Sequence, residues 1–152
     1  MDPLPRLLAA LALLAATSAA HASGNCIIAL KASDQMKYDI SAVTVSASCP
    51  TIRIELVHTG RLPVTAMGHN VVISHNRDVT AVSSAALKAG AAAHYLPQGD
   101  ARVVAATTMI GGGQKTSASF PGSKLKAGDD YTFFCSFPGH SALMKGRLIV
   151  VK

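Results

Sequence analysis

Tyr131-Thr132-Phe133-Phe134-Cys135-Ser136-Phe137-Pro138-Gly139-His140-Ser141-Ala142-Leu143-Met144-Lys145-Gly146 begins as a strand and runs into a short loop. Alternation over residues 131–135 puts Tyr131, Phe133 and Cys135 on one face. The Pro138-Gly139 pair lets the chain reverse just beyond the thiol. Four residues separate Cys135 from His140, and three separate His140 from Met144. A thiol, an imidazole and a thioether thus fall within one turn of chain. Such donors suit copper better than magnesium or calcium. A second candidate histidine stands far upstream, in Met67-Gly68-His69-Asn70.

Two histidines, one cysteine and a weak axial methionine form the ligand set of blue-copper electron-transfer sites. The run from Tyr131 to Gly146 resembles the C-terminal copper loop of the azurins, in the type-1 blue-copper (cupredoxin) family. Met67-Gly68-His69-Asn70 is similar to their upstream ligand segment. The likeness extends to Cys26, Asp34-Gln35-Met36, Cys49, Leu62-Pro63 and Lys124-Leu125-Lys126, and so spans the chain after its N-terminal segment. The resemblance implies that His69, Cys135 and His140 are the strong ligands. It gives the Met144 sulfur and the Gly68 carbonyl weak axial roles, and makes Asn70 and the Phe137 backbone partners of the sulfur. Without a Cβ, Gly68 can bring its backbone close to the metal. Met36, Leu62, Met67, Phe137, Pro138, Ala142 and Leu143 would form an apolar electron-transfer patch, with the His140 ring reaching the surface on a solvent-facing loop. Partners such as c-type cytochromes or periplasmic reductases would dock there in brief encounters. Two departures stand out. Some azurins carry a buried tryptophan, whereas this chain has none and places Val71 after Asn70. The segment 79–94 is also alanine-rich.

The chain has 152 residues, enough for one domain with a substantial core; 49% are apolar and 14% charged, which argues against disorder. Part of the apolar excess is local. Residues 7–20 are mostly Leu and Ala, preceded by Arg6 and followed by Ala20-His21-Ala22. A short apolar run with a basic flank and an Ala-x-Ala end is the pattern of a secretory signal peptide, and is shorter than a membrane span. Residues 1–22 are therefore expected to be cleaved, leaving one domain, residues 23–152, in the periplasm with no further membrane insertion. The net charge of +6 favours acidic partners. No Lys/Arg run forms a nucleic-acid footprint. In an oxidising compartment two of the three cysteines should pair and one remain. The resemblance pairs Cys26 with Cys49 and leaves Cys135 to the metal.

Strands are expected at 40–46, 52–58, 71–73, 102–106, 116–120, 131–135 and 147–151, separated by Gly, Pro, Asn and Asp clusters. Ile52, Ile54, Leu56 and His58 share one face, with Arg53 and Glu55 on the other, so His58 is a structural core histidine near the site, with a titration open to coupling to the redox state. Residues 79–94 make a short helix broken near Gly90. The fold expected is all-β, a Greek-key β-sandwich or barrel of cupredoxin type with a helical flap. His75 and His94 lack a partner at ligand spacing and are expected at the surface.

The function expected is a soluble periplasmic carrier of single electrons with one type-1 copper. A copper store, or a zinc-loaded protein without redox traffic, is the alternative, since Cys-His-His also suits zinc. A copper enzyme would need an open coordination position or further metal centres. With no His-x-His pair in the chain, nothing remains to build one.

Overall fold

The computed structural model describes residues 25–152; the expected leader, 1–22, lies outside them. In chain order the elements are β1 (Ile27–Ser33), β2 (Lys37–Tyr38), β3 (Ala42–Ser46), β4 (Ile52–His58), α1 (Val64–Met67), β5 (Val72–His75), α2 (Val79–Ala89), β6 (Ala105–Ala106), β7 (Lys115–Phe120), β8 (Tyr131–Phe134) and β9 (Lys145–Val151). The strands form two mixed sheets, ordered β2-β1-β4-β7 and β3-β9-β8-β5-β6. The chain changes layer between β2 and β3, β3 and β4, β4 and β5, β6 and β7, and β7 and β8, while β1 pairs with β4 in parallel and β3 with β9 in parallel. This is the sandwich expected from the sequence.

Side-chain alternation explains the core. Ile28, Leu30 and Ala32 of β1 lie opposite Ile54, Leu56 and His58 of β4, and all six are buried. From the other sheet, Val43, Val45, Ile73, Tyr131, Phe133, Leu148 and Val150 face the same interior. Charged residues of β4 point outward, where Arg53 and Glu55 pair at 3.0 Å. β8 is buried at every position because its sheet is covered on both sides. Its outward residue Phe134 packs with Val72 against Val79 and Val82 of α2. The flap helix therefore lies outside the sandwich and seals the strand that leads into the ligand loop.

α2 buries Val79, Val82 and Ala86 and ends at Gly90, whose φ of +73° stops the helix. The strand expected at 102–106 is shorter than foreseen. Arg102 clamps Asp100 through Nε and Nη2 (2.9 and 2.6 Å), holding 100–103 in a turn, so only Ala105–Ala106 pairs with β5. Cys26 and Cys49 form the disulfide, with Cα atoms 5.8 Å apart. Its loop is worth roughly 3 kcal/mol by chain-entropy reasoning. Among the described residues no helix is long and apolar enough to cross a membrane.

Candidate metal centre

The site lies at one end of the sandwich and is held from two remote segments. His69 precedes β5 and is fixed by a two-way backbone bridge to Ile110 (His69 N–H to Ile110 O, 2.9 Å; Ile110 N–H to His69 O, 2.8 Å). Cys135 follows β8 directly, and its N–H donates to the Met144 carbonyl at 3.0 Å, closing the loop at its base. Within the loop, the N–H of His140 donates to Phe137 O (3.0 Å) and that of Met144 to His140 O (2.7 Å). Gly139 at φ +80° makes the tight reversal that turns His140 back toward Cys135.

The result is a buried donor cluster. The Cys135 sulfur lies 3.9 Å from His69 Nδ1, 3.6 Å from His140 Nδ1 and 3.7 Å from the Gly68 carbonyl oxygen. The ligating atoms of His69, Cys135 and His140 all lie within 4.8 Å of one another. His69 Nε2 donates to the Ser33 carbonyl at 2.9 Å. The proton therefore sits on Nε2, and Nδ1 turns a free lone pair toward the sulfur. Met144 is fully buried in the same core. One sulfur anion and two imidazole nitrogens, fixed around a common point and closed to water, fit a copper ion.

Burial sets the charge state. It pushes the Cys135 thiol up to about 11, while the backbone N–H groups of Asn70 and Phe137 bond the sulfur and pull the other way. Burial and the neighbouring His69 hold His140 down to about 4, and burial also lowers His69. At neutral pH the metal-free cluster is thus a thiol with two neutral imidazoles. Binding Cu(II) must expel the thiol proton. Apparent affinity should therefore rise about tenfold per pH unit from neutral pH to about 9, because one proton leaves per ion bound. As the pH falls toward 4 the imidazoles take up protons that must leave as well, that of His140 at about 4, and the slope should steepen beyond one. Chelator-competition titrations across pH measure both slopes, and a flat profile would contradict this charge assignment.

Gly68 has a steric reason beyond approach to a metal. An added Cβ would sit 2.6 Å from the Val64 carbonyl oxygen and 2.9 Å from Phe137 Cδ2. One contact is backbone and the other lies in the ligand loop, so neither yields freely. Gly68→Ala should destabilise the metal-free protein by about 1–3 kcal/mol, the usual cost of overpacking. Denaturant melts will read this; an unchanged midpoint would show that the α1 turn yields without cost.

Among the remaining expectations, that for His140 is corrected. His140 is not solvent-facing: it is only 2% exposed. The Phe137 ring lies over it, centroids 4.6 Å apart. Of the residues expected in an apolar patch, Leu143 is 75% and Leu62 41% accessible. Ala142 is exposed, while Met36, Met67, Phe137 and Pro138 are half-buried. His58 is buried and stacks on His69 at 4.4 Å. Its Nε2 donates to Met67 O (2.9 Å), and its Nδ1 accepts from Gly60 N–H (3.0 Å). His75 is half-buried against Tyr131, and His94 is exposed.

The Asn70 side chain spans the two ligand segments. Its Oδ1 accepts from Ser136 N–H (2.9 Å) and its Nδ2 donates to Ser136 Oγ (2.8 Å). Two contributors were not read from the sequence. Tyr38 is buried and donates its hydroxyl to the Asn70 carbonyl at 2.5 Å, and Ser136 receives the Asn70 amide. A tyrosine in the last inward position after Asp34-Gln35-Met36 was the available signal for the first.

The comparisons with known proteins agree with this geometry. Residues 25–151 match the model of the copper binding proteins of the plastocyanin/azurin family. An azurin of Bordetella pertussis is 47% identical over 146 residues, covering 96% of this chain and 97% of its own. An azurin of Pseudomonas aeruginosa is 45% identical over 143 residues, covering 94% and 97%. Among solved structures, an azurin of Methylomonas sp. strain J superposes with a TM-score of 0.80 at 39% identity, over 84% of this chain and 98% of that one.

Proposed function

Given that the chain belongs to the plastocyanin/azurin family of copper-binding proteins, we propose that His69, Cys135 and His140 are its strong copper ligands, with the Met144 sulfur and the Gly68 carbonyl as weak axial contacts. It is a type-1 copper electron-transfer protein, not an enzyme. When bound, copper supplies a one-electron Cu(II)/Cu(I) couple. The observation that carries the ligand assignment is the buried group of three donors from two distant segments, the single such group among the described residues. Those segments are braced by the Ile110 bridge, the Cys135–Met144 bond and the Asn70–Ser136 pair. The donors therefore keep their places whatever charge lies between them. N–H groups of Asn70 and Phe137 draw charge from the sulfur and so favour the reduced state.

Docking is assigned to the rim of Met36, Leu62, Met67, Phe137, Pro138, Ala142 and Leu143, where Leu62 and Leu143 are the most exposed. A small apolar rim favours brief encounters. The partners fitting it are redox proteins such as c-type cytochromes or periplasmic reductases. The disulfide supports an oxidising compartment, which we take to be the periplasm, with residues 1–22 removed as a leader and residues 23–152 as the mature domain. Electron self-exchange separates a carrier from a metal store. It should be fast in the wild type. In Leu143→Lys it should fall by about tenfold or more at low ionic strength, where like charges meet, and recover in part with salt. Sluggish exchange in the wild type would instead support storage.

A further inference from the structure

We propose that Tyr95 is a positioning residue of the metal loop: its carbonyl and ring clasp Ser136 and Phe137, so that the flap after α2 sets how closely the Phe137 N–H approaches the Cys135 sulfur. The inference rests on the ligand assignment above and concerns a segment outside it.

Three observations carry it. First, His94 and Tyr95 are successive non-glycine residues in the left-handed region, at φ +52° and +50°. L residues avoid this conformation, and it persists where surrounding contacts enforce it. The local turn supplies part of that enforcement, through His94 N–H to Ala91 O (2.9 Å), Tyr95 N–H to Gly90 O (3.0 Å) and Leu96 N–H to Ala93 O (3.0 Å). In this conformation the Tyr95 carbonyl receives the Ser136 hydroxyl at 2.6 Å.

Second, the direction of that bond is forced. A serine hydroxyl has one proton. Asn70 Nδ2 already donates into Ser136 Oγ at 2.8 Å, so the Ser136 proton goes to Tyr95. The chain Asn70 to Ser136 to Tyr95 is one-way, and each bond strengthens the next. Third, the Tyr95 ring meets Phe137 edge-on, centroids 5.4 Å apart and planes at 67°, and Phe137 in turn lies over His140 at 4.6 Å. Tyr95 thus grips the residues on both sides of the Ser136–Phe137 peptide, whose N–H bonds the sulfur. Loosening the grip should lengthen that bond, leave more charge on the sulfur and favour the oxidised ion.

The test uses Tyr95→Gly, which relieves the backbone and removes the ring but leaves Asn70 and Ser136 in place. Ser136→Ala and Ser136→Thr are its companions. In the metal-free protein, Tyr95→Gly should speed amide exchange at Phe137 by at least tenfold. In the copper-loaded protein it should shift the Cu(II)/Cu(I) ratio at fixed potential by about tenfold toward Cu(II), a 59 mV fall for one electron. Ser136→Ala should act in the same direction, and Ser136→Thr should restore wild-type values. Faster exchange confined to residues 91–96, with Phe137 exchange and the potential both unchanged, would reduce the contact to a tether of the flap and overturn the proposal. Failure of the wild type to form a copper–thiolate centre would sink the ligand assignment, while Phe137 exchange would still decide for or against the clasp.

Discussion

Cys135→Ser is expected to abolish the intense visible absorption of the copper-loaded protein and to weaken Cu(II) binding by at least about 100-fold. The factor is a floor, because even the outer partners of a metal ligand are worth about 10–100-fold. The absorption depends on charge moving from thiolate sulfur to metal, and Cys135 is the free cysteine among the described residues. A serine hydroxyl in its place would not ionise in this buried pocket, so the anionic donor is lost altogether. The fold should survive. Serine is nearly isosteric, and the Gly68 carbonyl, 3.7 Å from the sulfur, offers its hydroxyl an acceptor. An unsatisfied hydroxyl would cost about 1–3 kcal/mol, an upper bound for the stability change. Visible spectra and chelator competition on the folded variant measure both effects, and a surviving absorption would remove Cys135 from the site.

Phe133→Ala should be the most damaging single change to the scaffold, at about 3–5 kcal/mol, the usual range for a buried phenylalanine replaced by alanine. Phe133 is fully buried and lies one strand position inside Cys135. Its ring meets Tyr38 edge-on at 5.5 Å and fills the space that a Cβ on Gly146 would need. Tyr38 in turn holds the Asn70 carbonyl, so the cavity would open beneath both ligand segments. The denaturation midpoint of the metal-free protein should fall without a change in slope, the mark of lost stability alone. Copper affinity should fall as well, because Cys135 loses the packing below it. A stability loss under about 1 kcal/mol would mean that the β8–β9 layer repacks and that the site does not depend on it.

Much of this was legible in the chain. Alternation through Tyr131, Phe133 and Cys135 placed the sulfur on the core face, and the same rule put His58 inside with Ile52, Ile54 and Leu56. The donor spacing from Cys135 to Met144 identified the loop because few other needs bring those side chains together. β1 carries no clear strand signal in the sequence. Its outward Ile27 is apolar and 46% exposed, which blurs the period of two. The strand expected from residue 102 was cut short by the Asp100–Arg102 clamp, a side-chain pairing with no hydrophobic signature. The burial of His140 was missed because its cover, Phe137, sits where the flap brings Tyr95. That contact crosses more than forty residues of sequence, and no local pattern reports it.

Hyperfine spectroscopy on the Cu(II) protein carrying 15N at histidine Nδ1 goes straight to the arrangement of donors. Two strongly coupled Nδ1 nuclei and one pair of cysteine β-protons are the result expected from His69, His140 and Cys135. Replacing either histidine by glycine should erase one nitrogen and leave the other. A spectrum with a single coupled Nδ1, with a third one, or without the cysteine protons would contradict the centre described here.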